Sequence, residues 1–93
     1  MKANRFASVW DAIEADSEQA ENLRLRSELM IALRSHVERI GLTQRQAAEL
    51  FGVTQPRVSD LMRGKIALFS LDTLVNMAHA AGSRVELKLR AIA

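Results

Sequence analysis

Cysteine is absent from this chain, which removes a disulfide framework, a cysteine-built zinc site and a cysteine nucleophile at once. Tyrosine is missing as well, and proline occurs once, at Pro56. No glycine-rich phosphate loop is present, and Ser59 and Ser83 have no histidine at a catalytic spacing. His36 and His79 find no second ligand three or four residues away on their helices, so both read as surface or packed histidines. Met30, Met62 and Met77 read as core filling. No enzyme, cofactor or metal is therefore expected. Long apolar runs are missing too: the polar start Met1-Lys2-Ala3-Asn4-Arg5 leads into none, so neither a signal peptide nor a membrane span is expected. The expected compartment is the cytoplasm.

What remains is an ordinary globular composition, 48% apolar and 26% charged, and a length that makes one domain over residues 1–93. A chain of this size buries only about 60% of its unfolded surface, so a second copy would add useful stability. The net charge of +2 is unevenly distributed. Residues 11–21 hold Asp11, Glu14, Asp16, Glu18 and Glu21 without a Lys or Arg, whereas residues 22–93 hold eleven basic and six acidic side chains, a net of +5. A basic body suits an anionic partner, and the acidic stretch suits either a basic partner or the start of a solvated helix.

Gly41, Gly52, Gly64 and Gly82 each follow an apolar pattern of helical period, where a residue of positive φ ends a helix. They divide the chain into about five helices. Phe6, Val9, Trp10 and Ile13 follow i, i+3, i+4, i+7 spacing and predict a short amphipathic segment within residues 1–16. Two roles are open to that apolar face: packing on the next helix to complete the core, or docking a partner protein. Asp16 and Gln19 have capping-box spacing for a second helix from about Ser17 to Ile40, with Leu25, Leu29, Leu33, Val37 and Ile40 on its apolar face. Thr43 and Gln46 predict another capping box, followed by Ala47, Leu50 and Phe51 on the buried side. Thr54 starts the next helix, with Pro56 in the first turn, where its missing N–H costs nothing, and Val58, Leu61 and Met62 inward. Ser70 is placed to cap a last helix through about Ala81, with Leu71, Leu74, Val75 and Ala78 inward.

Beyond Gly82 the period changes. Arg84-Val85-Glu86-Leu87-Lys88-Leu89-Arg90 alternates polar with apolar, as a half-buried strand does. A lone strand leaves backbone groups unpaired, so residues 84–90 are expected to pair with the same segment of a second subunit. Antiparallel pairing centred on Leu87 sets Glu86 opposite Lys88 twice, though it also sets Arg84 opposite Arg90. Val85, Leu87 and Leu89 would form the apolar face of that dimer.

Residues 43–64 read TQRQAAELFGVTQPRVSDLMRG: two short helices joined by Gly52-Val53-Thr54, the layout of a helix-turn-helix. Ala47 or Ala48 lets the helices approach, and Val53, Val58 and Leu61 anchor one on the other. Gln55, Arg57, Ser59, Asp60 and Arg63 are left outside. Gln55 and Arg57 lie near the helix N-terminus, the end that enters a major groove, and Arg and Gln side chains can make bidentate contacts to bases there. Arg63 and Lys65 flank Gly64 and suit contacts to phosphate. Ser59 suits either a groove contact or close approach through its small size, and Asp60 would accept from cytosine or repel phosphate.

The span TQRQAAELFGVTQPRVSDLMRGK resembles the Cro/C1-type (XRE) helix-turn-helix family, in its Q-x-x-A, then G-V, then S-x-x-R-G-K. From about Phe6 to Leu89, the order VWDAIE, a long helix, LFSLDTLVNMAHAAG and VELKL is similar to the HigA-like antitoxin branch. The resemblance implies a mainly α, lambda-repressor-like bundle with a short C-terminal strand. It implies double-stranded DNA as partner and association with the nucleoid. It also implies that Gln44 clamps a phosphate and that Thr54, Gln55, Pro56 and Arg57 read bases, although Pro56 replaces a polar residue and leaves only an apolar contact. A basic ribonuclease toxin is implied as a second partner, with Phe6, Val9, Trp10 and Ile13 as the candidate docking face. A toxin-neutralising module with little DNA affinity and a free-standing phage-like repressor are the competing readings.

Overall fold

The computed structural model describes the backbone of residues 5–92 and the side chains of residues 16–92. Four α-helices follow in order: α1 (Arg5–Ile40), α2 (Gln44–Phe51), α3 (Gln55–Met62) and α4 (Leu71–Ala80), with a 3-10 turn at Ile66–Leu68 between the last two. The expected five helices are corrected to four, because the short first helix and the long second one are a single helix of 36 residues. The reason is local. The Asp16-Ser17 signal favours a helix start but contains no Gly or Pro to end the preceding one, and good helix formers surround it. Downstream, Arg24 bridges Glu21 (2.7 Å) and Glu28 across one and the same exposed face, adding helix-stabilising i,i+3 and i,i+4 pairs. The hydrogen bond from Arg24, followed by its charge, holds the Glu21 carboxyl below the ordinary carboxylate range. Continuity also excludes a first helix folded back on the second, since one helix cannot pack on itself.

The core lies between the C-terminal half of α1 and α2, α3 and α4. It comprises Met30, Leu33 and Val37 of α1, Ala47, Ala48 and Phe51 of α2, Val58 and Leu61 of α3, Leu74, Met77 and Ala78 of α4, and Phe69. Two expected faces are rotated. Leu25 and Ile40 are exposed, while Met30 is buried, in keeping with its reading as core filling. A row of i+4 steps from Leu25 to Val37 drifts about 40° per step around a helix of 3.6 residues per turn, so its outer end leaves the core face. Met30, Leu33 and Val37, at i, i+3, i+7, stay on it. In α4, likewise, Val75 is exposed against expectation, while Met77 is buried as core filling.

Asp16 through Leu25 are all exposed. Among the described side chains of α1, the first to reach the other elements by hydrogen bonding is Arg26, whose Nη1 donates to the carbonyls of Ile66 (3.3 Å) and Phe69 (3.4 Å). The longest dimension of the molecule, 55 Å, is that of a helix of this length at about 1.5 Å per residue.

Residues after Gly82 form no strand among the described residues, against the expectation for 84–90. Among the described residues of one chain there is no second strand to take the backbone hydrogen bonds. Val85 is half-buried against the core, whereas Leu87 and Leu89 are 91% and 101% exposed.

Candidate nucleic-acid interface

The motif is assembled from caps that the sequence announces. Thr43 Oγ1 accepts from the Gln46 N–H (3.1 Å) while Gln46 Oε1 accepts from the Thr43 N–H (2.9 Å), closing the capping box at the start of α2. Gln44, the first residue of α2, is thereby left outside the cap and exposed. Gly52 ends α2 at φ 67°, ψ 35°, and its N–H donates to the Ala48 carbonyl, as does that of Val53. That left-handed conformation is strained for any residue with a Cβ. It turns the chain through Val53, which is half-buried, into α3. Thr54 caps α3 by accepting from the Arg57 N–H at 3.3 Å, and Pro56 occupies the first turn.

Gln55 and Pro56 are exposed at the N-terminal end of α3, and Arg63 at its C-terminal end. Arg57 and Ser59 are half-buried. The Arg57 guanidinium carbon lies 4.8 Å from the centroid of the Phe69 ring, stacked over it. Asp60 pairs with Lys65 (3.6 Å) across the Gly64 turn, with both side chains reachable by solvent. That pair answers the awkwardness of a carboxylate near DNA: Lys65 offsets the Asp60 charge, and an exposed pair worth less than about 1 kcal/mol is readily exchanged for a phosphate contact. α3 therefore carries Gln55, Pro56, Arg57 and Ser59, flanked by its cap Thr54 and by Arg63 and Lys65, and α2 brings Gln44 on its first residue.

Three side chains of α1 escape the sequence reading. Asn22 and Arg26 line, with Arg57 and the segment from Ala67 to Thr73, an open cleft of about 670 Å³. Arg34 places Nη1 3.5 Å from where a Cβ on Gly64 would stand, and its buried Nε has no hydrogen-bond partner. A signal was available, since Arg26 has the helical phase of Leu33 and Val37 and so belongs to the inward face. Phe69 lies outside any helix, where periodicity is silent. Among the described residues no His, Asp and Glu cluster could hold a metal, and no helix is long and apolar enough to cross a membrane. The side chains of Phe6, Val9, Trp10 and Ile13 lie outside the described residues; their backbone is part of α1.

A family model described as a helix-turn-helix domain matches residues 13–90. A solved structure described as "Putative XRE Family Transcriptional Regulator" is similar, with 33% identity and a TM-score of 0.72 over 78% of this chain and 82% of that one. No curated protein matches.

Proposed function

This chain belongs to the XRE-type helix-turn-helix family of DNA-binding transcriptional regulators, and from that membership we propose that it is an autorepressing antitoxin of the HigA-like branch. The observation that carries the DNA-reading part is the arrangement of α2, the Gly52 turn and α3, which leaves Gln55, Pro56, Arg57 and Ser59 on one short helix, with Arg63 and Lys65 just after it. Gln44 and the basic residues after α3 contact phosphate, and Gln55 and Arg57 contact base edges. Pro56 contributes an apolar contact, such as one with a thymine methyl. Two copies related by a two-fold axis would set their α3 helices in successive major grooves about 34–36 Å apart on a palindromic site.

The dimer forms through residues 84–90. Leu87 and Leu89 stand nearly bare in one chain, and in the alternating sequence they share the parity of Val85. Pairing with the same segment of a second copy satisfies the backbone and covers these side chains. Truncation after Ser83 is expected to turn a dimer into a monomer in sedimentation, and a stable truncated dimer would place the interface elsewhere.

The toxin-docking face is Phe6, Val9, Trp10 and Ile13 on α1. Its support is that α1 runs unbroken past the core and that Asp16 to Leu25 are all exposed. The acidic residues 11–21 suit a basic ribonuclease.

The deciding experiment titrates the purified protein against DNA from upstream of its own gene and against an unrelated duplex, at two salt concentrations. Tight, salt-sensitive binding with preference for its own upstream DNA supports the repressor. Weak binding, equal on both duplexes, would refute DNA reading by the free protein and favour a toxin-neutralising module.

A further inference from the structure

Arg57 is held by its face. Its guanidinium stacks on Phe69 at 4.8 Å, and among the described residues its side chain makes no hydrogen bond or ion pair. Asp72 lines the same cleft without reaching ion-pair distance. The distinction is chemical. A carboxylate partner would occupy the in-plane N–H donors, which are the ones a bidentate contact to guanine O6 and N7 requires. Stacking uses the π face and leaves all five donors available, while still restricting the long side chain.

Phe69 can serve as a platform only if it is itself fixed. It is 1% exposed and follows the 3-10 turn. The turn is tied to α1 by Arg26, whose Nη1 donates to the Ile66 and Phe69 carbonyls and whose Nε donates to Asn22 Oδ1 at 2.7 Å. A continuous set of contacts thus runs from Asn22 through Arg26 and the turn to the Phe69 ring and Arg57. We infer that Phe69, held in place by Arg26, is a positioning residue that presets Arg57 for base recognition. The inference rests on the reading of Arg57 as a base contact.

The test is a double-mutant cycle on the full chain. The wild-type protein selects a duplex from a random pool, and fluorescence anisotropy then compares affinity for that duplex with affinity for an unrelated one. Phe69→Leu keeps an apolar side chain in the core and removes the ring. It should lower the preference for the selected duplex about five- to tenfold, as expected for loss of a stacked cation, with non-specific affinity unchanged. In the Arg57→Ala background the same substitution should lower it no further. An equal loss in both backgrounds, or no loss in the wild type, overturns the inference. If Phe69→Leu does not fold, Arg26→Gln enters the same cycle without touching a core side chain, with the same expectation and the same overturning results. The underlying reading fails separately: Arg57→Ala with undiminished preference would show that Arg57 reads no base, and the positioning role would fall with it.

Discussion

Val58→Asn is expected to give a chain that loses its cooperative fold at ordinary temperatures. Val58 is 0% exposed in α3 and belongs to the core with Ala47, Phe51 and Leu61. No polar side chain is buried there among the described residues, so the introduced amide would have no side-chain partner. An unsatisfied buried polar group costs about 1–3 kcal/mol, and the lost burial of a valine adds about 1.5–3 kcal/mol. Against a total stability of about 5–15 kcal/mol, with small domains at the lower end, that sum removes most of the margin. Circular dichroism at 222 nm should show Tm lowered by more than about 15 °C, or no transition. A native Tm would mean that α3 is not anchored through this position.

Arg57→Ala is expected to act on recognition instead. The loss should be about 1–3 kcal/mol on the preferred duplex, roughly five- to 150-fold in affinity, with relaxed preference at one base-pair position. Arg57 is half-buried, so truncation uncovers part of Phe69, and a small fall in Tm should accompany the change. The salt dependence separates two roles. A base contact leaves the slope of log K against log salt nearly unaltered, whereas a phosphate contact weakens all duplexes alike and reduces the slope by about one. Uniform weakening would therefore move Arg57 from base reading to backbone clamping.

Much of the candidate interface was legible in the chain because its signals are local. Thr43 and Gln46 announce a capping box by their spacing alone, and the reciprocal hydrogen bonds are present. Helices end before Gly41, Gly52, Gly64 and Gly82, all at positive φ. Pro56 sits in a first turn because only there is its missing N–H harmless. Such features depend on neighbours within about four residues, so reading them requires no knowledge of the fold.

The rest depended on distance in the sequence. Ser70 caps α4 as its spacing predicts, yet which of Val75 and Met77 turns inward depends on where α1 and α2 lie. The break expected at Asp16 illustrates the opposite error: a local start signal was present, but nothing ended the helix before it, and propensity carried α1 through. Arg26 reaches carbonyls 40 and 43 residues away, and a stack of Arg57 on Phe69 spans two elements that no periodicity links. Asp60, ambiguous as a groove-facing carboxylate, finds its meaning in Lys65 across a turn.

By itself, then, the sequence determined the helix ends, the turn between α2 and α3, and the set of polar residues that α3 can offer, since short-range hydrogen bonding and steric limits act within a few residues. Only the tertiary structure decided the choice of inward faces and the anchoring of Arg57 through Phe69 and Arg26. Those outcomes come from packing between segments far apart in the chain, where the contact that lowers the free energy has no local signature.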